Sequence, residues 1–135
     1  MRKKCRLAFV ICLVLFATGC STKESNTEKL KDLDFTVVDE EDIPEEMAAA
    51  IAEKKEKPLK STYSDKGYLY ICEGYGEQST SGYSIQVAAV YETKNAIYIH
   101  TNLLGPDADE EVVEQPTYPY VVIKLEDNEK NVVFD

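Results

Sequence analysis

Residues 83–104 read YSIQVAAVYETKNAIYIHTNLL, and this stretch decides the fold. Two β-forming runs, 83–91 and 96–104, flank Thr93, Lys94 and Asn95, whose composition suits a hairpin turn. In the second run Ile97, Ile99 and Thr101 alternate with Tyr98, His100 and Asn102, the period of a strand with one buried face. Upstream, Gly67 closes a turn and YLYICE (68–73) is a dense β run. A loop rich in Gly, Ser and Thr then leads to Tyr83. Downstream, Gly105 and Pro106 break the strand pattern, and residues 107–114 form an acidic loop. A run over 118–125 is entered through Pro119, which favours an edge or strand-start position. Residues 127–130 turn the chain into a last apolar run, 132–134. Short strands at near-regular spacing predict a mainly β domain, α+β by content. The expected architecture is an antiparallel sandwich or a partly open barrel.

One helix precedes the strands, expected over about residues 44–57. Asp42 suits the N-cap and Pro44 the first turn, where a missing N–H costs nothing. Glu45 and Glu46 complement the positive helix end, and Lys54, Lys55 and Lys57 the negative one, with Pro58 as the stop. Ile43, Met47 and Ile51 make a narrow apolar stripe, suited to a helix laid on a sheet. FTVV (35–38) reads as a short first strand, so the folded domain is expected over 35–135. Residues 20–34 are expected to be a lipidated cysteine and a flexible tether. As a coil, such a tether would average roughly 20 Å end to end.

The first nineteen residues have the architecture of an export signal. Arg2, Lys3 and Lys4 are cationic, LAFVICLVLF (7–16) is unbroken apolar sequence, and Ala17, Thr18 and Gly19 are small. The apolar run is shorter than the roughly 20 residues of a membrane-spanning helix. Cys20 directly after Ala-Thr-Gly resembles a lipobox, with Ala17 where Leu is usual. The resemblance implies diacylglycerol on the Cys20 thiol, cleavage before it, and a domain anchored outside the cytoplasm. A second acyl chain matters, because one chain alone gives only marginal anchoring.

The net charge is −10, and loss of Arg2, Lys3, Lys4 and Arg6 with the leader would make it −14. Such acidity argues against nucleic acid as a partner, which needs clustered Lys and Arg. It also repels anionic headgroups, so the anchor rather than the surface would hold the domain at the membrane. Cys5 and Cys12 lie in the leader and Cys20 is the lipid site, leaving Cys72 without a disulfide partner. Within YLYICEGY, Cys72 reads as a small buried hydrophobe. His100 has no nucleophile near it in sequence. No nucleophile–base–orienter set and no phosphate-cradling loop is signalled, so neither enzyme activity nor a cofactor is expected. Asp107, Asp109, Glu110 and Glu111 lack the glycine and the spacing of a calcium loop and read as solvated charge.

Two blocks carry a family resemblance. GYGEQSTSGYSIQV (74–87) and GPDADEEVVEQPTYPYVVIKL (105–125) are together similar to the C-terminal domain family of the protease complex subunit PrcB. Gly82, Tyr83 and Ser84 match its first motif, in which Ser79 stands where Pro is usual and Ser81 where Gly is. Gln115, Thr117, Tyr118, Pro119 and Tyr120 match the second, in which Glu114 replaces Thr and Pro116 replaces Ala. The resemblance implies a non-catalytic companion of an exported protein or protease complex, and names no particular partner.

If both blocks lie at one end of the sheet, a binding rim is expected from Tyr75, Ser79, Thr80, Gly82, Tyr83, Gln115, Tyr118, Pro119 and Tyr120. Glycine keeps such a loop adaptable, and Tyr rings dominate interface energies. The plainer reading of the same residues is that the glycines serve hairpin turns and the rings fill the edge of the core. The 79–83 loop also resembles, in part, the Asn-Pro-Thr-Thr-Gly-Tyr loop of chagasin-type inhibitors of cysteine proteases. That likeness implies the alternative function, protease inhibition through this loop.

Overall fold

The computed structural model describes residues 28–135. The leader, Cys20 and the first half of the expected tether, residues 21–27, lie outside the described residues. The elements in chain order are β1 (Lys31–Asp32), β2 (Thr36–Val37), a 3-10 turn (Glu40–Asp42), α1 (Glu45–Lys54), β3 (Pro58–Asp65), β4 (Tyr68–Tyr75), β5 (Ser84–Glu92), β6 (Ala96–Leu104), β7 (Tyr120–Glu126) and β8 (Asn131–Phe134). They form two four-stranded sheets, ordered β1-β5-β6-β8 and β2-β7-β4-β3. The architecture is thus the sandwich, not a closed barrel, with one helix on its flank.

The main core lies between the sheets. Leu69 and Ile71 of β4 and Ile123 and Leu125 of β7 meet Val90, Ile97 and Ile99 of the facing sheet. Each such side chain contributes roughly 1.5–3 kcal/mol by leaving water. The second core explains why β4 has no clean alternation: its other face is also covered. Cys72 of β4, Val122 of β7 and Leu59 of β3 lie under Met47 and Ile51 of α1. The helix stripe therefore rests on the outer face of the second sheet, as its narrow width predicts.

Several local expectations are corrected. The helix spans Glu45–Lys54 rather than 44–57; Pro44 occupies the N-cap position without a side-chain bond. Asp42 ends the preceding 3-10 turn instead of capping the helix. Pro58 does more than stop the helix: it opens β3, an edge strand, where its missing N–H is harmless. Residues 31–33, read as tether, are tied to the sheet. Lys31 and Asp32 pair with Glu92 and Tyr91, and the Leu33 N–H donates to the Val90 carbonyl at 2.9 Å.

The hairpin of β5 and β6 forms where its sequence places it. Thr93 is fully buried in the turn, and its Oγ1 accepts the N–H groups of Asn95 and Ala96, both at 3.2 Å. The register shifts between Val87 and Ala89, leaving a bulge at Ala88. The apolar positions of β5 are Ile85, Val87 and Val90, and the extra residue absorbs the odd spacing. β8 departs from the antiparallel pattern. It crosses from the β7 sheet to the other and pairs parallel with β6. The crossing is pinned by Lys130, whose Nζ donates to Glu92 Oε2 at 2.9 Å and to the Thr93 carbonyl at 2.8 Å. That ammonium, by hydrogen bonding first of all, holds the Glu92 carboxyl below its usual range.

Candidate functional site

Two loops meet at the end of the sandwich where β4 stops and β7 begins. Gly76 turns the chain out of β4 at φ +79, and a Cβ there would lie 3.1 Å from the Pro58 ring. Gln78 then pairs with Thr117, N–H to carbonyl in both directions, at 2.8 and 3.0 Å. Thr117 Oγ1 donates to the Thr80 carbonyl at 2.7 Å. The Ser81 N–H donates to the Val113 carbonyl at 3.1 Å, and Ser81 Oγ accepts from the Val113 N–H at 2.8 Å. The Tyr75 N–H reaches the Pro119 carbonyl at 3.1 Å. Gly82 has φ +94, and a Cβ there would stand 2.8 Å from Pro106 Cβ. Close approach and backbone angle both demand glycine. The two blocks, well separated in sequence, therefore form one cross-linked cluster.

Within that cluster the expected rim residues divide. Ser79, Gly82 and Gln115 are exposed, and Thr80 is half-buried with its hydroxyl turned to the Ser81 carbonyl at 2.9 Å. Tyr83 is half-buried, with its ring against Gly105. Tyr75 points between the sheets. Its hydroxyl lies 2.6 Å from Thr101 Oγ1, which donates to Glu73 Oε1 at 2.9 Å, so the Tyr75 hydroxyl is the donor to Thr101. Tyr118 lies under the Lys55 ammonium, 5.5 Å from its ring centre. Partial burial, then the charges of Glu77 and Glu56, push its phenol up. Tyr120 packs on the helix-side core, and burial, then Glu40, push its phenol up. Tyr75 and Tyr83 are thus both partly buried.

Val113, 58% exposed at the loop tip, was not singled out by sequence. Its signal was a Val-Val pair inside an otherwise acidic loop. Nor did the pattern flag Glu73, buried with Thr101 as its hydroxyl partner on the opposite sheet.

The chemistry offered at this end is hydroxyl, amide and backbone hydrogen bonding beside one exposed apolar side chain. Among the described residues no group of three or more His, Cys, Asp or Glu is placed to hold a metal ion. Glu110 Oε1 accepts from the Asp107 N–H at 3.1 Å, within the turn of the acidic loop. Cys72 is fully buried, and burial, then the charge of Glu73, push its thiol up to about 12. His100 is 35 residues from its partner Asp135, whose carbonyl lies 3.1 Å from Nδ1. Among the described residues no helix is long and apolar enough to cross a membrane.

A family model described as PrcB C-terminal matches residues 69–126. The matched stretch runs from β4 into β7 and contains both loops of the cluster. No curated protein and no solved structure matches the chain.

Proposed function

With residues 69–126 matching the PrcB C-terminal family, we propose that this chain is a lipid-anchored, extracytoplasmic protein-interaction domain. It acts as a non-catalytic accessory subunit of an exported protein or protease complex. The observation that carries the reading is the joining of the two family blocks through Gln78 and Thr117, with Ser81 on Val113. The bonds preorganise the tip, and a rigid tip loses less entropy when a partner docks. Exposed Ser79 and Gln115 offer hydrogen bonds beside Val113, a small apolar contact with a polar rim. The lipid anchor rests on the Ala-Thr-Gly-Cys sequence ahead of a polar segment.

Two experiments test the reading. The full chain should enter the detergent phase on phase separation, and Cys20→Ala should move it to the aqueous phase; identical behaviour ends the anchoring claim. Crosslinking in native membranes should capture an exported partner. Ser79→Arg with Gln115→Arg, both at exposed positions, should abolish capture without lowering the unfolding midpoint. Undiminished capture removes this surface from the reading.

The protease-inhibitor alternative draws on one feature, the 79–83 loop held rigid by its bonds to Val113 and Thr117. It requires equimolar inhibition of a papain-like protease by the purified domain. No effect across a panel of cysteine proteases ends it.

A further inference from the structure

A trough runs along the helix side of the molecule. Its first part, about 340 Å³, lies between Val37 of β2 and the start of β7. Its second, about 140 Å³, continues between α1 and Tyr120. Glu40, Ile43 and Tyr120 line both parts, so the two adjoin. Its lining is mostly apolar, and Val37 is 56% exposed within it.

Three observations define what fits. First, one wall is an open strand edge. β2 covers β7 only at Lys124 and Ile123, with one further bond from the Val38 N–H to the Val122 carbonyl at 2.9 Å. Beyond that the chain leaves for the 3-10 turn, and ladder alternation aims the backbone groups of Tyr120 at the vacant edge. An edge of this kind accepts an extended backbone. Second, the apolar lining suits alternate side chains of such a segment. Third, the charge beside it is mainly acidic: Glu40 lines both parts, and Asp39, Glu41 and Asp42 adjoin it in sequence and are exposed, against one lining cation, Lys55, at the helix end. Among the described residues none of these four carboxylates is in an ion pair. Four carboxylates against the single Lys55 ammonium leave an excess of negative charge beside the apolar trough, which favours a cation and repels an acidic segment.

We propose that this trough binds an extended, apolar segment of the exported partner, flanked by lysine or arginine. The proposal rests on the interaction reading above and assigns it a second contact, on the side of the sandwich rather than at its tip. The neighbouring Tyr118 and Pro119 give the family's second motif a role at both surfaces.

The test uses the full chain and synthetic ten-residue peptides of alternating Val and Pro, flanked by two Arg or by two Glu. The Arg-flanked peptide should bind at least tenfold more tightly, with an affinity that weakens as salt rises. Val37→Glu, at an exposed position, should reduce that affinity at least fivefold at an unchanged unfolding midpoint. Glu40→Lys with Glu41→Lys should reverse the preference between the two peptides. Equal binding of both peptides, binding of neither, or indifference to Val37→Glu overturns the proposal. So does a concentration-dependent dimer abolished by Val37→Glu, which would assign the trough to a second copy. If partner capture survives Val37→Glu but not the Ser79 and Gln115 substitutions, the trough assignment falls and the interaction reading stands.

Discussion

Cys72 illustrates how one side chain can be removed from chemistry by its surroundings. It lies fully buried beneath α1, with a thiol raised to about 12. Only thiolate reacts with disulfide reagents. In the native protein Cys72 should therefore resist thiol labelling at mildly alkaline pH and react at once in urea, read by mapping the label to its peptide. Rapid labelling at Cys72 in the native protein would contradict the packing. The shift also has a sign for stability. An unfolded thiol ionises at about 8.5. The thiol's contribution is thus intact below that pH and lost as pH rises toward its folded value. Cys72→Ala should flatten that part of the alkaline decline, read as urea midpoints at neutral and alkaline pH. At Thr101 the argument concerns an orphaned group. Its hydroxyl is the donor to buried Glu73 and receives the Tyr75 hydroxyl. Thr101→Val keeps the shape, removes both bonds and should cost about 1–3 kcal/mol in urea unfolding. A loss under half a kilocalorie, roughly the floor of such measurements, would mean that water replaces the hydroxyl.

Among the elements, β5 shows what an alternating pattern conveys and where it misleads. Its apolar residues fall at 85, 87 and 90, a break that strict alternation cannot satisfy. The bulge at Ala88 restores the inward face, since two residues of β5 oppose one step of β6. Removing Ala88 should leave a regular ladder with Ile85, Val87 and Val90 all inward. That deletion is expected to fold with a stability within about 1 kcal/mol of the parent. Removing Gln86 instead would turn Val87 outward and Ala88 inward, and should cost substantially more by loss of core burial. Comparison of the two midpoints checks the register; equal losses would refute it. The same element shows the limit of local reading. The hairpin at Thr93, the α1 stripe and the dense apolar run of β4 were legible because each is a pattern among residues a few positions apart. The short pairing of β1 with β5 and the parallel docking of β8 were not. Both depend on where distant strands leave an edge free, and two to four residues carry too little pattern to announce it.

For the whole molecule, charge and topology act together. The two loop blocks were legible as a pair, yet the separate trough on the helix side was not. Its walls come from β2, the 3-10 turn, α1 and the start of β7, segments that only the folded layers bring side by side. Net charge is a property of the same scale. The chain carries −10, while the described residues contain two ion pairs, Lys29 with Asp32 and Lys130 with Glu92. The first is largely exposed, at 53% and 76% of the two side chains, and such a pair contributes little. Few attractions therefore offset the repulsion among the surplus carboxylates, and compaction brings them closer than the unfolded chain does. Salt should then stabilise this protein. Raising NaCl until the screening length falls from about 30 Å to about 10 Å should lift the thermal midpoint by a few degrees. Lys130→Met should enlarge that rise, because it removes the more buried attractive pair and adds one more unmatched carboxylate. A midpoint that falls with salt would mean that local attractions outweigh the net repulsion, and the charge argument would be wrong.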